Sequence, residues 1–298
     1  MSKMMNQHLL FSLPGNAELT QAIGDTLSIE IGKTEIRTFP DHESYIRIHS
    51  DVKNKTAILI CTLNQPDSKT LPLLFMAKTL KELGADKICL VAPYLAYMRQ
   101  DMRFHSGEAV TSTLFAQLLS IYIDGLITID PHLHRIHQLS DLYKIPSLTL
   151  HATKNISEWI SSHVNNPVLI GPDEESRQWV AEIADCNNLP FVIASKKRLG
   201  DKRVIVSLPK LENKKQTPIL IDDIISSGVS MLESLKQVIA SGFNNPICIG
   251  VHALFNNQTK KKLMDAGAKE LITCNTIIHS TNQIDITNIL AKGILELC

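Results

Sequence analysis

The sequence holds no surplus of either charge: 30 Lys and Arg stand against 30 Asp and Glu. A nucleic-acid footprint needs a basic excess gathered on one face, and no such global field is present. Any phosphate recognition must therefore come from local features. Long apolar runs are missing too, since no stretch approaches the ~18 residues of a membrane span. The opening MSKMMNQHLLFSLPG has too short an apolar run for a secretory signal. The six cysteines, Cys61, Cys89, Cys186, Cys248, Cys274 and Cys298, show no Cys-x-x-Cys spacing. Scattered in this way they read as free thiols in a reducing compartment. The expectation is a soluble, cytoplasmic protein with neither nucleic acid nor membrane among its partners.

What is present is a regular alternation. The chain has 298 residues, 44% of them hydrophobic, enough for two domains of roughly 150 residues each. Short apolar runs such as AILICTL at 57–63, KICLVAP at 87–93 and GLITID at 125–130 alternate with longer amphipathic ones. Strand and helix at this spacing predict βαβ units and mainly parallel sheets, whose buried strands are continuously apolar. The join is expected near residue 150, between Pro146 and Lys154, giving domains 1–150 and 151–298. The two halves resemble each other: AILICTLNQPDSKTL runs parallel to PILIDDIISSGVSML. Each reads as strand, polar loop, helix. Only the second loop carries paired acids and a run of hydroxyls.

That second loop, ILIDDIISSGVS, carries chemistry in its residue types. A buried strand is expected to deliver Asp222 and Asp223 to its carboxyl end, where ligands of open α/β sheets bind. Small residues then lead into a helix, whose first N–H groups can cradle a phosphate. Ser226, Ser227 and Ser230 add hydroxyls, and the carboxylates can take ribose hydroxyls or hydrated Mg²⁺. The bland alternative is an N-cap pair followed by a turn. A Walker A loop is excluded because G-x-x-x-x-G-K-[ST] is absent.

The loop resembles the phosphoribosyl-pyrophosphate motif shared by type I phosphoribosyltransferases and ribose-phosphate pyrophosphokinases. The resemblance implies ribose 5-phosphate binding by Asp222, Asp223, Ser226, Ser227, Gly228, Val229 and Ser230. It also implies an α/β fold of two tandem type I phosphoribosyltransferase-like domains, each a mainly parallel sheet flanked by helices. Alone, the loop does not separate a synthase from a transferase.

Other segments do, and they resemble the pyrophosphokinases. PYLAYMRQDMRFHSGE at 93–108 is similar to that family's P-Y-x-x-Y-x-R-Q-D-[RK]-x-F-x-x-G-E. It implies ATP binding by Arg99, Gln100, Asp101 and Phe104; an arginine beside a glutamine can grip a nucleotide by charge and amide hydrogen bonds. Phe39-Pro-Asp-His-Glu43 resembles F-x-D-G-E, with His42 in the glycine's place. It implies that Phe39, Asp41 and Glu43 reach the adenine at a neighbouring subunit, hence a homo-oligomer. Asp130-Pro-His132 resembles D-L-H, with His132 helping to hold Mg²⁺–ATP. His132, His134 and His137 lack nearby cysteines, so a structural zinc is not expected. Gly171-Pro-Asp173 resembles a further segment and implies Asp173 near the metal or ribose; a capped helix start can coexist with that role. Lys196 and Arg198 match the family's K-x-R on a catalytic flap. The implied reaction is Mg²⁺-dependent transfer of the pyrophosphoryl group of ATP to ribose 5-phosphate. Charge spreading over phosphoryl oxygens explains the need for cations. No general base is obvious; Asp222, Asp223 and His132 are candidates, and a metal-bound hydroxyl would need none. A catalytically weak regulatory paralogue remains an alternative, as does a phosphoribosyltransferase, for which the nucleotide segments would have no purpose.

Overall fold

The computed structural model describes residues 7–133, 135–199, 203–207 and 213–298; for Glu175 and residues 195–199 and 203–207 it describes the backbone only. The chain forms two compact units, Met1–Leu150 with Thr287–Cys298, and His151–Ile286.

The first unit is built on strands β1 (His8–Ser12), β4 (Thr56–Ile60), β5 (Lys87–Ala92), β6 (Gly125–Ile129) and β7 (Ser147–Leu150). They lie side by side in that order and all run parallel. Ile58–Ile60, Ile88–Val91 and Leu126–Ile127 are fully buried, as expected of strands covered on both faces. Between them run α1 (Ala17–Leu27), α2 (Pro66–Glu82) and α3 (Thr111–Ser120). Pro66 opens α2 at its first turn, where a missing N–H costs nothing. Gly84, at φ +94°, turns the chain after the helix end. Thr34–Thr38 (β2) and Ser44–Ile48 (β3) form a separate antiparallel hairpin.

The second unit holds a six-stranded parallel sheet ordered β15-β14-β13-β12-β8-β9. Its members are β8 (Pro167–Gly171), β9 (Phe191–Ile193), β12 (Thr217–Ile225), β13 (Ile247–Ala253), β14 (Glu270–Cys274) and β15 (Asn282–Ile284). Helices α4 (Thr153–His163), α5 (Arg177–Cys186), α6 (Val229–Ala240) and α7 (Asn257–Asp265) belong to this unit. Ser195–Leu199 (β10) and Arg203–Ser207 (β11) pair as an antiparallel hairpin.

Two expectations are corrected. Residues 287–298 were expected in the second domain, but their helix α8 (Thr287–Leu297) joins the first unit. Leu290, Ala291 and Ile294 are buried. Gly293 lets the helix close on the sheet: a Cβ there would stand 2.8 Å from Leu150 Cδ1 and 3.3 Å from Ile127 Cγ2. Periodicity predicts a helix but not which sheet receives its apolar face. The acidic pair, expected to end its strand, sits before that end. β12 continues through Ile224 and Ile225, which pair with His252 and Ala253, because buried Ile225 packs where Gly250 leaves no side chain. Among the described residues, no helix is long and apolar enough to cross a membrane.

Candidate active site

In the second unit the loop after β12 is built around Gly228. It caps α6 at φ +72°, a left-handed conformation that glycine adopts without steric cost. A Cβ at Gly228 would meet Thr259 Cγ2 at 2.6 Å, so the position also needs the missing side chain. The first backbone N–H groups of α6 have no partner within the helix. They are the groups that receive an anion at a helix N-terminus. Ser226 and Ser230 are half-buried, whereas Ser227 and Val229 are exposed. The acidic pair is not the helix cap, because Gly228 holds that place.

Asp222 and Asp223 are both half-buried. The Asp223 N–H donates to Asp222 Oδ1 at 3.1 Å, and the Ile224 N–H to Asp223 Oδ1 at 2.7 Å. Burial first, then the charges of Asp223 and Asp173, hold the Asp222 carboxyl well above the usual carboxylate range. Asp173 precedes the short 3₁₀ turn Glu174–Ser176 and makes no side-chain cap hydrogen bond there. The α-helix starts after this turn, at Arg177. A buried carboxyl that feels the charges of two further carboxylates calls for a cation. Their oxygens suit Mg²⁺, which takes one or two carboxylates and completes its shell from substrate phosphates and water. Among the described residues, no group of three or more His, Cys, Asp or Glu is arranged to hold an ion by itself. Lys196 and Arg198 stand on β10 at register positions opposite Val206 and Val204; their side chains lie outside the described residues.

The equivalent loop of the first unit is closed by its own chain. Gln65 is left-handed ahead of α2, and Lys69 Nζ donates to the Thr62 carbonyl at 2.8 Å and to Asn64 Oδ1. Burial holds the Lys69 ammonium below the usual lysine range. An internal lysine stands here where the second unit offers carboxylates.

The segment 93–108 of the first unit follows β5. Tyr97 adopts φ +61° and is held there by a hydrogen bond from its hydroxyl to Asp67 Oδ1. Its ring packs on Phe115 with centroids 4.7 Å apart. Arg99 is exposed. Gln100 is tied to α3, its Oε1 accepting from Thr111 Oγ1 at 3.4 Å and its carbonyl from the Ser112 N–H at 3.3 Å. Glu108 folds the loop tip: Oε2 accepts from the Phe104 N–H at 2.7 Å and the His105 N–H at 3.0 Å. Phe104 is 54% exposed, and the Arg135 guanidinium lies 5.5 Å from its ring centroid. Arg135 also donates to Asp101 Oδ1 at 2.9 Å. Asp101 thus orients Arg135 from a nearly buried position. His132 is half-buried on the segment that follows β6; His134 lies outside the described residues. Motif reading missed Arg135 and Asp67, because each acts through a partner distant in sequence.

The hairpin turn carries Phe39, Asp41 and Glu43. Phe39 N–H donates to the Glu43 carbonyl at 2.8 Å, and the Glu43 N–H to Asp41 Oδ1 at 3.2 Å. The Arg37 guanidinium lies 4.5 Å from the Phe39 centroid and 4.1 Å from that of Tyr45. The cation, the exposed Phe39 ring and the half-buried Tyr45 ring form a face on which a base can stack. His42 adopts φ +71°, which explains why glycine suits this position. His42→Gly is expected to keep the turn and leave thermal stability equal or slightly higher. His42→Val should cost about 1–2 kcal/mol, measurable by denaturant unfolding; equal stability of both variants would show that the turn does not constrain this residue.

Comparison with known proteins follows the same division. Residues 8–122 match the model of the N-terminal domain of ribose phosphate pyrophosphokinase. Residues 138–287 match that of the phosphoribosyl transferase domain. The ribose-phosphate pyrophosphokinase of Saccharolobus solfataricus is 32% identical over 276 residues, covering 91% of this chain and 93% of its own. That of Methanobrevibacter smithii is 28% identical over 288 residues, covering 92% and 96%. The phosphoribosylpyrophosphate synthetase structure from Mycobacterium smegmatis superposes with a TM-score of 0.86 over 97% of this chain and 98% of that one; at 22% identity it speaks to the fold alone. By the two matched domains and this identity along nearly its whole length, the chain belongs to the ribose-phosphate pyrophosphokinase family.

Proposed function

We propose that this chain transfers the β,γ-pyrophosphoryl group of ATP to the C1 hydroxyl of ribose 5-phosphate, giving 5-phosphoribosyl 1-pyrophosphate and AMP. The observation that carries this reading is the joint presence of the Arg99–Glu108 segment and the Asp222–Ser230 loop. A transferase that consumes the product needs only the second. Arg99 and Gln100 would hold ATP, with His132 beside its phosphates, and Phe104 with Arg135 would offer a stacking face. The amides of 227–230 would hold the 5-phosphate, and Asp222 and Asp223 the ribose hydroxyls. Mg²⁺, held by these carboxylates and by substrate phosphates, would neutralise charge on the phosphoryl oxygens. Lys196 and Arg198 would oppose the charge that develops on the transferred group and the departing AMP. A cytoplasmic location suits substrates that are highly charged and do not cross membranes unaided.

The test is AMP release from ATP with Mg²⁺ and ribose 5-phosphate, with the sugar product identified. No turnover with nucleotide binding intact would identify a regulatory paralogue instead. Pyrophosphate release that depends on a nucleobase, without use of ATP, would identify a transferase.

The same reading makes the chain a homo-oligomer, since the Phe39–Glu43 turn would serve a neighbour's nucleotide site. The first unit offers a surface for a second copy. Leu71 and Phe75 on α2, and Leu114, Leu118 and Ile121 on and just after α3, are exposed, Ile121 by 73%. Their spacing of three and four residues makes a stripe on each helix. Right-handed crossovers put both helices on one face of the sheet. Phe75→Asp with Ile121→Asp should halve the sedimenting mass at assay concentration and lower turnover. A wild-type chain that sediments as a fully active monomer would refute the assignment.

A further inference from the structure

We propose that Cys89 and Cys298 are a redox-addressable thiol pair, which a small-molecule disulfide of the glutathione class converts to a bond tethering α8 to β5. The inference is independent of the activity proposed above. Cys89 is buried on β5. Cys298 is half-buried and extends α8, its N–H donating to the Ile294 carbonyl at 3.0 Å. The two thiols hydrogen-bond to each other. The packing confirms the approach of strand and helix end: the Cβ position of Gly125 lies 3.5 Å from Cys89 Sγ and 3.4 Å from Leu297 Cδ2. Lys87 Nζ lies at the same place, donating to the Leu297 carbonyl and hydrogen-bonding Cys89. Thiols within hydrogen-bonding reach of each other can close to a bond with little backbone movement.

The remaining described thiols show why this pair is distinct. Burial pushes Cys61 and Cys248 up to about 12, so neither supplies thiolate near neutral pH. Cys186 is exposed and serves as an internal control. Cys89 is held below its ordinary value, first by the hydrogen bond from Cys298 and then, against burial, by Lys87. Exposure, not acidity, sets the order of events: the hydrogen bond to Cys89 holds the Cys298 thiol well above its ordinary value, but of the pair it is Cys298 that is not fully buried. The accessible Cys298 thiol exchanges with the oxidant RSSR, forming Cys298–S–S–R and releasing RSH. Cys89, giving its proton to solvent with the Lys87 ammonium beside it, then attacks the Cys298 sulfur, forming the Cys89–Cys298 bond and releasing RS⁻. Two thiols are oxidised and one external disulfide is reduced to two thiols.

The full chain is treated with oxidised glutathione, free thiols are alkylated, and the protein is digested with trypsin without reductant. Cleavage after Lys87, Arg99 and Lys292 isolates residues 88–99 and 293–298, each holding one cysteine. The expected result is a linked pair of these peptides that dithiothreitol separates, together with a rise in Tm that Cys298→Ser abolishes. In Cys89→Ala the oxidant should stop at the mixed disulfide on Cys298. The proposal is overturned if Cys186 is glutathionylated while 88–99 and 293–298 stay unlinked. It is equally overturned if Cys298 links to Cys186 or accumulates as the mixed disulfide in the wild-type chain.

Discussion

Replacing Asp222 with asparagine should remove most turnover and yet raise the Tm of the metal-free protein at neutral pH. Asp222 is held well above the usual carboxylate range by burial and by the charges of Asp223 and Asp173. A carboxyl with a raised folded pKa contributes its stability when protonated, below the unfolded value of about 3.9. That contribution is lost as pH rises towards the folded value. At neutral pH the wild-type fold therefore carries a repulsion that the neutral amide relieves. Each kcal/mol so recovered raises Tm by about 2–4 °C in a unit of this size. The gap between variant and wild type should widen as pH rises above ~4 and narrow when Mg²⁺ with ribose 5-phosphate supplies the counter-charge. The loss of turnover should be on the order of 10²–10³. A variant less stable than wild type at neutral pH, by an amount independent of pH, would show that Asp222 is a structural acid satisfied in the fold. The expected result sets stability against function at this residue, as often happens where a site is built to meet charge that only a ligand supplies.

Lys196→Ala is expected to lower kcat by about 10²–10³ while leaving the KM for ATP within a few fold. In phosphoryl transfer, catalysis comes mainly from positioning and from cations set where charge develops. A cation that acts only on that developing charge affects kcat and leaves ground-state binding nearly alone. Lys196→Arg should recover part of the rate, since it keeps the charge but not the compact ammonium. Lys197 is the control, being the neighbour that an ungapped alignment would confuse with it. A drop of less than about tenfold for Lys196→Ala, with the larger loss at Lys197→Ala, would move the role by one residue.

Much of this was legible from the chain in one dimension. Continuous apolar runs gave β4, β5, β6 and β12 within a few residues, because a strand buried on both faces has no room for polar alternation. The hairpin Thr34–Ile48 was less legible: its residues are half-buried or exposed, so no core pattern marks it. The loop after β12 was readable as chemistry because its parts are contiguous, carboxylates, hydroxyls and a glycine within nine positions from Asp222 to Ser230.

Taken by itself, the sequence determined the parallel α/β class, and it marked out the loop and the segment whose residue types point to a phosphoribosyl group and to a nucleotide. Each is a local pattern, set by side-chain period or by residues adjacent in the chain. Tertiary structure alone decided that α8 returns to the first unit, that Asp173 adds its charge to Asp222, that Asp101 orients Arg135 beneath Phe104, and that Cys298 meets Cys89. These contacts join residues far apart in the chain. No periodicity records them, because apolar faces and charges find their partners through space and not along the backbone.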